Sequence, residues 1–247
     1  MKQIILTLIV TFFVASAFSQ SPGLSFYQGR KKITIQPIQH ASFILTTAGT
    51  TIYVDPTGTA ENYKNMKAPD VILISDIHGD HFDLKALQFL KKPETTLIAP
   101  KAVADGLPAD LKTNLIILNN GETTRFSKIN ITAIPMYNLP ETVDSRHPKG
   151  RGNGYILKSR GKRVYISGDT EDISEMRELK DIDIAFVCMN LPYTMDINQA
   201  SSAVLEFKPK NIIPYHYRGQ DVQAFKNIVN KSNPKINVIL SKWYTTN

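Results

Sequence analysis

The amino-acid sequence predicts a mixed α/β fold in which two β-sheets pack face to face with helices outside, and three observations lead there. The first stretch of the chain alternates polar and apolar residues, a short fully apolar strand leads directly into an amphipathic helix, and the last third alternates helical segments with apolar strands. At 247 residues, 42% of them apolar, the chain can bury one large core or two modest ones, and no low-complexity stretch divides it, so one domain is expected.

Residues 1–19 are set apart first. Lys2 followed by the apolar run Ile4 to Ala17 has the charged and hydrophobic regions of a secretory signal, too short to span a bilayer. Ala17 and Ser19 fit cleavage before Gln20, and Ala15 and Ala17 fit cleavage before Phe18. Either way a folded domain from about residue 20 to 247 is expected in the periplasm or outside the cell, with no stable membrane anchor once the signal is cut. The single Cys188 rules out an intramolecular disulfide and, within Ile184 to Met189, reads as a small buried hydrophobe. The formal charge of +7 falls to +6 without Lys2 and is scattered rather than blocked, which favours an anionic substrate weakly and does not imply nucleic-acid binding.

In chain order, Lys32 to Gln39, Ser42 to Thr47 and Thr51 to Val54 read as a strand meander. Val71 to Ser75 is the apolar strand and Leu84 to Leu90 the helix after it. Strands follow at Thr96 to Ala99, Asn114 to Leu118, Ile129 to Ile134, Gly154 to Lys158 and Arg163 to Ile166, the last pair joined by a turn at Ser159-Arg160-Gly161-Lys162. The remainder alternates helices near Ile173 to Leu179, Asn198 to Phe207 and Val222 to Val229 with strands at Ile184 to Met189, Asn211 to Tyr215 and Ile236 to Leu240.

Chemistry concentrates in the loop after the apolar strand, Ser75-Asp76-Ile77-His78-Gly79-Asp80-His81-Phe82-Asp83. Imidazole and carboxylate are ligands for zinc, iron or manganese, and a bend through Gly79 would turn several of them inward together. His147 and His216 each follow a predicted strand, and Asp169 lies in the turn Ser167-Gly168-Asp169-Thr170 directly after another. Four strand ends thus supply ligand types, and loops on one edge of a rigid sheet can hold them in register.

These residues resemble the pattern of the metallo-β-lactamase superfamily: a His-x-His-x-Asp-His loop, a distant His, a Gly-Asp turn and a last strand-end His. A finer similarity is to the small metal-dependent hydrolases related to ascorbate-phosphate lactonase and N-acyl-phosphatidylethanolamine phospholipase D. It is carried by Gln39-His40-Ala41-Ser42, Val54-Asp55-Pro56, His147-Pro148-Lys149-Gly150, Tyr165-Ile166-Ser167-Gly168-Asp169-Thr170 and Ile213-Pro214-Tyr215-His216-Tyr217, across about Ile33 to Ile239. The resemblance implies a four-layered αβ/βα sandwich with two divalent metal ions at one edge. Asp76, His78 and His147 would hold one ion, Asp80, His81 and His216 the other, and Asp169 would bridge them. Zinc is the first expectation. The superfamily's first histidine is Asp76 here, whose harder oxygen tilts that site toward manganese, iron or magnesium. The alternative for Asp76 is a supporting carboxylate at the loop entrance, with one metal only. His40 and Asp55 match family positions outside the ligand set and would orient metal-bound groups or contact substrate, His40 having a purely structural role as its alternative.

Such a centre lowers the pKa of bound water to about 7 and polarises the bond under attack. Asp80 or Asp169 would accept the proton, and Tyr217, His40 or a water would assist the leaving group. The expected reaction is hydrolysis of a lactone, carboxylic ester or phosphoester in a small molecule. Lys149 and Arg151, following His147, would suit an anionic substrate or else form a solvated basic turn. The alternatives are a β-lactamase, a nuclease or phosphodiesterase, disfavoured by export and by the lack of an Arg-rich arm, and a non-catalytic metal-binding module.

Overall fold

Alternating side chains decide which face of a strand each residue serves, and a strand apolar at every position must be covered on both faces. The computed structural model, which describes residues 23–28 and 31–244, realises this with two seven-stranded sheets, one from each half of the chain. The expected signal segment, residues 1–19, lies outside the described residues.

The first sheet runs in simple chain order: β1 (Leu24–Gln28), β2 (Lys31–Gln39), β3 (Ser42–Thr47), β4 (Thr50–Val54), β5 (Val71–Leu73), β6 (Thr96–Ala99) and β7 (Leu115–Ile117). Its first four strands are an antiparallel meander, and β4 to β7 are parallel. The second sheet repeats this plan, with β8 (Thr123–Phe126), β9 (Ile129–Met136), β10 (Gly152–Ser159) and β11 (Lys162–Ile166) antiparallel, then β12 (Ile184–Cys188), β13 (Asn211–Tyr215) and β14 (Asn237–Val238) parallel to β11.

Phe43, Leu45, Val71 and Leu73 face the core shared with the second sheet. Ile44, Ile72 and Ile74, at the intervening positions, face a separate cluster with α1 (Leu84–Leu90) and α2 (Lys101–Gly106). On the other side α3 (Ser174–Arg177), α4 (Ile197–Phe207) and α5 (Val222–Ser232) bury Met176, Val204, Phe207, Phe225 and Val229 with the second sheet. The layers are therefore helix, sheet, sheet, helix, the αβ/βα sandwich. Among the described residues no helix is long and apolar enough to cross a membrane. Cys188 is buried in β12, and burial pushes its thiol up to about 11.

Two strands and one α-helix lie outside the sequence expectation, as do the short 3-10 turns Ala60–Tyr63 and Ala109–Lys112. Strands β1 and β8 are edge strands, and β8 is Thr-Thr-Arg-Phe, with little apolar alternation. Helix α2 has six residues after Pro100, too few for a 3.6-residue period to show. Two expected elements are shorter than foreseen: the helix near Ile173 to Leu179 is the single turn α3, and the final strand is only Asn237–Val238. The apolar strand ends at Leu73, and the Ser75 amide leaves the sheet for the Asp55 carboxylate.

At the edge remote from the histidines, buried Asp183 accepts from Lys162 Nζ (2.8 Å), Lys210 Nζ (2.9 Å) and the Arg163 amide (3.0 Å), tying β11, β12 and β13 together. Burial alone would raise its carboxyl pKa, but the two lysines and the amide hold it below the usual value. A carboxylate depressed on folding stabilises above its unfolded pKa of about 3.9, and the contribution is lost as pH falls through the lower folded value. Asp183→Asn should therefore cost about 1–3 kcal/mol at pH 7. The gap from wild type in urea melts should close at pH values below about 4, and an equal gap at pH 3 would contradict this origin.

Candidate metal centre

Parallel strands direct their carboxyl ends to one edge, where open α/β sheets place their ligands. Asp55 follows β4, Asp76 to His81 follow β5, Asp169 follows β11 and His216 follows β13. His147 lies in the β9–β10 connection, five positions before β10 begins, rather than directly after a strand, and Asn138 holds it there. The Asn138 side-chain Oδ1 accepts from the His147 amide (2.9 Å) and faces its Nδ1 (3.0 Å).

The structure gathers all seven residues singled out as ligands. Asp169 is the hub: its Oδ2 lies 3.2 Å from His81 Nε2 and 3.3 Å from His147 Nε2, and its Oδ1 lies 3.3 Å from His216 Nε2. On one flank Asp76 contacts His78 Nδ1 and lies 3.8 Å from His147 Nε2. On the other, Asp80 Oδ2 lies 3.4 Å from His216 Nε2 and 3.2 Å from His40 Nε2. Asp83, the third carboxylate of the loop, caps α1 by accepting from the amides of Lys85 and Ala86, and also accepts from the Gly58 amide. Gly79 is not what bends the loop, because its φ is ordinary and a Cβ there would meet open space. The turn is held by the amides of His81 and Phe82, both donating to the His78 carbonyl. Gly168 is required: its φ is +63°, and a Cβ would lie 2.6 Å from Met136 Sδ and 3.0 Å from the Asn153 carbonyl.

Hydrogen bonds fix the ring tautomers. His81 Nδ1 faces Asp55 Oδ2 at 2.8 Å, and Asp55 also accepts from the amide and hydroxyl of Ser75 at 2.7 and 2.6 Å. The Asn138 amide group donates to the Tyr193 carbonyl and to Glu171, so its oxygen is the atom turned to His147. Both Nδ1 atoms therefore carry hydrogens, and both Nε2 atoms converge on the Asp169 carboxylate. His81 and His216 also approach each other Nε2 to Nε2 at 3.2 Å. Buried acceptors aimed at one another repel unless a proton or a metal cation lies among them. His147 Nε2 and Asp169 Oδ1 have no hydrogen-bond partner, although His81, His147 and His216 are fully buried. Three groupings, Asp76 with His78 and His147, His81 with Asp169 and His216, and His40 with Asp80 and His216, have ligand atoms close enough for one ion. Imidazole and carboxylate donors in this arrangement fit a divalent cation.

Proton equilibria follow from the same contacts. Burial disfavours charge on Asp169, yet the surrounding His216, His81 and His147 hold its carboxyl well below the usual range. Burial likewise works against a charged His81, but Asp169 and Asp55 raise it well above the ordinary imidazole value. His40 is lowered, chiefly by burial. Three site residues, His40, Asp55 and His216, have φ between 42° and 49°, left-handed conformations that non-glycine residues keep only where surrounding contacts impose them.

Tyr217 is not brought to the carboxylates. Its hydroxyl points to the Ser241 carbonyl, and the phenol beside the site is Tyr244, 2.7 Å from His40 Nδ1. Tyr244, Asn138 and Ser75 were not singled out in the sequence. Ser75 borders the ligand loop and was open to suspicion, whereas Tyr244 lies 204 residues from its partner with no local signal. Lys149 and Arg151 do not form a free basic turn either. Lys149 pairs with Glu141 and Glu175, and Arg151 turns inward onto Asp76. A cavity of about 770 Å³ opens beside the centre, with His40, Asp80, Asn62, Arg218, Trp243 and Tyr244 on its walls.

Comparison with known proteins agrees with this geometry. Residues 34–216 match the family model described as a beta-lactamase superfamily domain. A "UPF0173 metal-dependent hydrolase" of Staphylococcus carnosus is 31% identical over 205 residues, covering 76% of this chain and 89% of the relative. A crystal structure from Parabacteroides distasonis, assigned to the metal-dependent hydrolases, is 40% identical, with a TM-score of 0.81 over 91% of this chain and all of that one. The metallo hydrolase Igni18 of Ignicoccus hospitalis shares the fold, with a TM-score of 0.71 at 24% identity over 84% of this chain and 94% of that one. With its sandwich, its converging histidines and a family match over most of its length, the chain belongs to the beta-lactamase superfamily, among the metal-dependent hydrolases.

Proposed function

We propose that the protein is an exported hydrolase that uses two divalent metal ions, zinc by first expectation, to cleave an ester-like bond in a small anionic molecule. The observation that carries this reading is the convergence of three imidazole Nε2 atoms on buried Asp169, with His147 Nε2 and Asp169 Oδ1 left unpartnered. Asp76, His78 and His147 would hold one ion, Asp80, His81 and His216 the other, with Asp169 between them. Divalent ions there would supply activation of water and polarisation of the bond attacked. The expected signal at residues 1–19 supports export, and the similarity of the His40, Asp55, His147 and His216 motifs to lactonase-like hydrolases supports a lactone, carboxylic ester or phosphoester.

The protein's own groups divide the remaining work. Asp80 lies on the cavity wall and Asp169 is buried, so Asp80 is the carboxylate within reach of a proton released at the substrate. His40 bonds Asp80 through Nε2 and the Tyr244 hydroxyl through Nδ1, and is placed to carry that proton toward a leaving group. The exposed guanidinium of Arg218, on the same wall, replaces Lys149 and Arg151 as the group that would receive a carboxylate or phosphate.

Elemental analysis of the purified mature protein, with hydrolysis of lactone, aryl phosphodiester and β-lactam panels before and after chelation, tests this. Chelator-sensitive turnover with bound metal is expected, and no metal with no turnover would end the enzyme reading. Arg218→Gln should raise KM for an anionic ester about 10- to 100-fold and leave a neutral analogue unaffected. Equal loss on both would remove the anionic substrate.

A further inference from the structure

Arg151 is, among the described residues, the guanidinium that pairs directly with a carboxylate of the centre, and its position is fixed by backbone packing. Strand β10 begins at Gly152, where a Cβ would lie 2.5 Å from Met136 Cε and 2.9 Å from the Ser75 carbonyl, so the two segments touch directly. The Asn153 amide donates to that same carbonyl at 2.9 Å. Arg151 therefore enters beside the ligand loop, and its guanidinium spans Asp76: Nε lies 3.3 Å from Oδ1 and the terminal nitrogen 3.2 Å from Oδ2. The Asp76 side chain is fully buried and that of Arg151 only 21% exposed. His78 Nδ1 closes on Oδ2 from the other side.

The two flanks of Asp169 are thus electrostatically different. On the Asp80 flank two carboxylates, Asp80 and Asp169, face His81 and His216, and among the described residues no guanidinium pairs with either, Arg218 lying on the cavity wall beyond them. On the Asp76 flank the local carboxylate is already neutralised by a group that stays charged at any accessible pH and that takes up one lone-pair direction on each oxygen. A cation on that flank meets a like charge across a shared carboxylate in a water-poor setting, where such repulsion is weakly screened.

We propose that Arg151 makes the two metal subsites unequal: the ion held by Asp80, His81, Asp169 and His216 binds tightly, and the ion at Asp76, His78 and His147 binds weakly because Arg151 competes for Asp76. The proposal rests on the two-metal reading above. It makes the second ion responsive to metal supply, and it gives Arg151 a positioning role, since the guanidinium acts through Asp76.

The test is calorimetric titration of the chelator-stripped full mature protein with Zn2+ and, separately, Mn2+, with thermal melts alongside. Wild type should take up one ion tightly and a second at least about 10-fold more weakly. Arg151→Gln should tighten the second event about 10- to 100-fold and leave the first unchanged, while Asp76→Ala should abolish the second event alone. Arg151→Lys, which keeps the charge, should leave the second event weak. Two equivalent ions in wild type would overturn the proposal even if no variant folds, as would a second event unchanged or weakened in a folded Arg151→Gln. No uptake of either ion by folded wild type would instead overturn the metal-centre reading itself.

Discussion

Asp169→Asn is expected to lower kcat/KM by about 10³-fold or more on whichever substrate the wild type hydrolyses, and to strip metal from the purified protein. The change keeps shape and removes charge. An amide in place of the carboxylate puts a neutral group among His81, His147 and His216, removing the negative charge and one of the two oxygens that would face a cation between the rings. Among the described residues Asp169 is the carboxylate in contact with rings from both flanks, so both ions of the proposed centre should be affected together, whereas a change at Asp76 or Asp80 should affect one. Metal content by elemental analysis, kcat/KM and a circular-dichroism melt on the same preparation separate loss of metal from loss of fold. Wild-type metal content with wild-type turnover in the variant would take Asp169 out of the centre.

Trp243→Ala carries the largest expected cost in stability, about 3–5 kcal/mol, or roughly 6–20 °C in Tm for a chain of this size. Trp243 is almost wholly buried near the C-terminal end of the described chain. It packs against Phe43 (5.8 Å between ring centroids), Tyr215 (5.7 Å) and Phe186 (6.4 Å), joining β3 of the first sheet to β12 and β13 of the second. Its carbonyl accepts the His40 amide at 3.2 Å, and the next residue places the Tyr244 hydroxyl on His40. The cavity that alanine leaves would therefore loosen both the intersheet core and the wall of the cavity beside the metal centre. The expected pattern is a lowered Tm together with a raised KM, at nearly unchanged metal content, because the ligand loop hangs from β5 and Asp55 rather than from the C-terminus. A Tm within 2 °C of wild type, on the scale of about 2–4 °C per kcal/mol, would show that the aromatic cluster repacks without it.

Most of the fold was legible because β-strand and helix patterns are local. The fully apolar run at Val71 predicts a strand covered on both faces, and Ile72 and Val71 do face different clusters. The ligand loop was legible for a similar reason: Asp76, His78, Asp80 and His81 crowd six positions after a strand. What escaped was either short, as with α2, or at an edge with little apolar alternation, as with β8.

The grouping of charges belongs to tertiary structure. Asp76 and Arg151 are 75 residues apart, and Lys149, two positions from Arg151, pairs with Glu141 and Glu175 instead. From the sequence both basic residues follow His147 in one turn and read alike, as a patch for an anionic substrate or a solvated face. Packing of Gly152 and Asn153 against Ser75 turns Arg151 inward and leaves Lys149 half-exposed, and the basic group on the pocket wall proves to be Arg218. Which residue types line one edge of the sandwich is dictated by strand order and local spacing. Which of them share a charge, a proton or an ion is decided by distances of 3 to 4 Å between loops from different strands, and those distances exist only once the two sheets have closed on their common core.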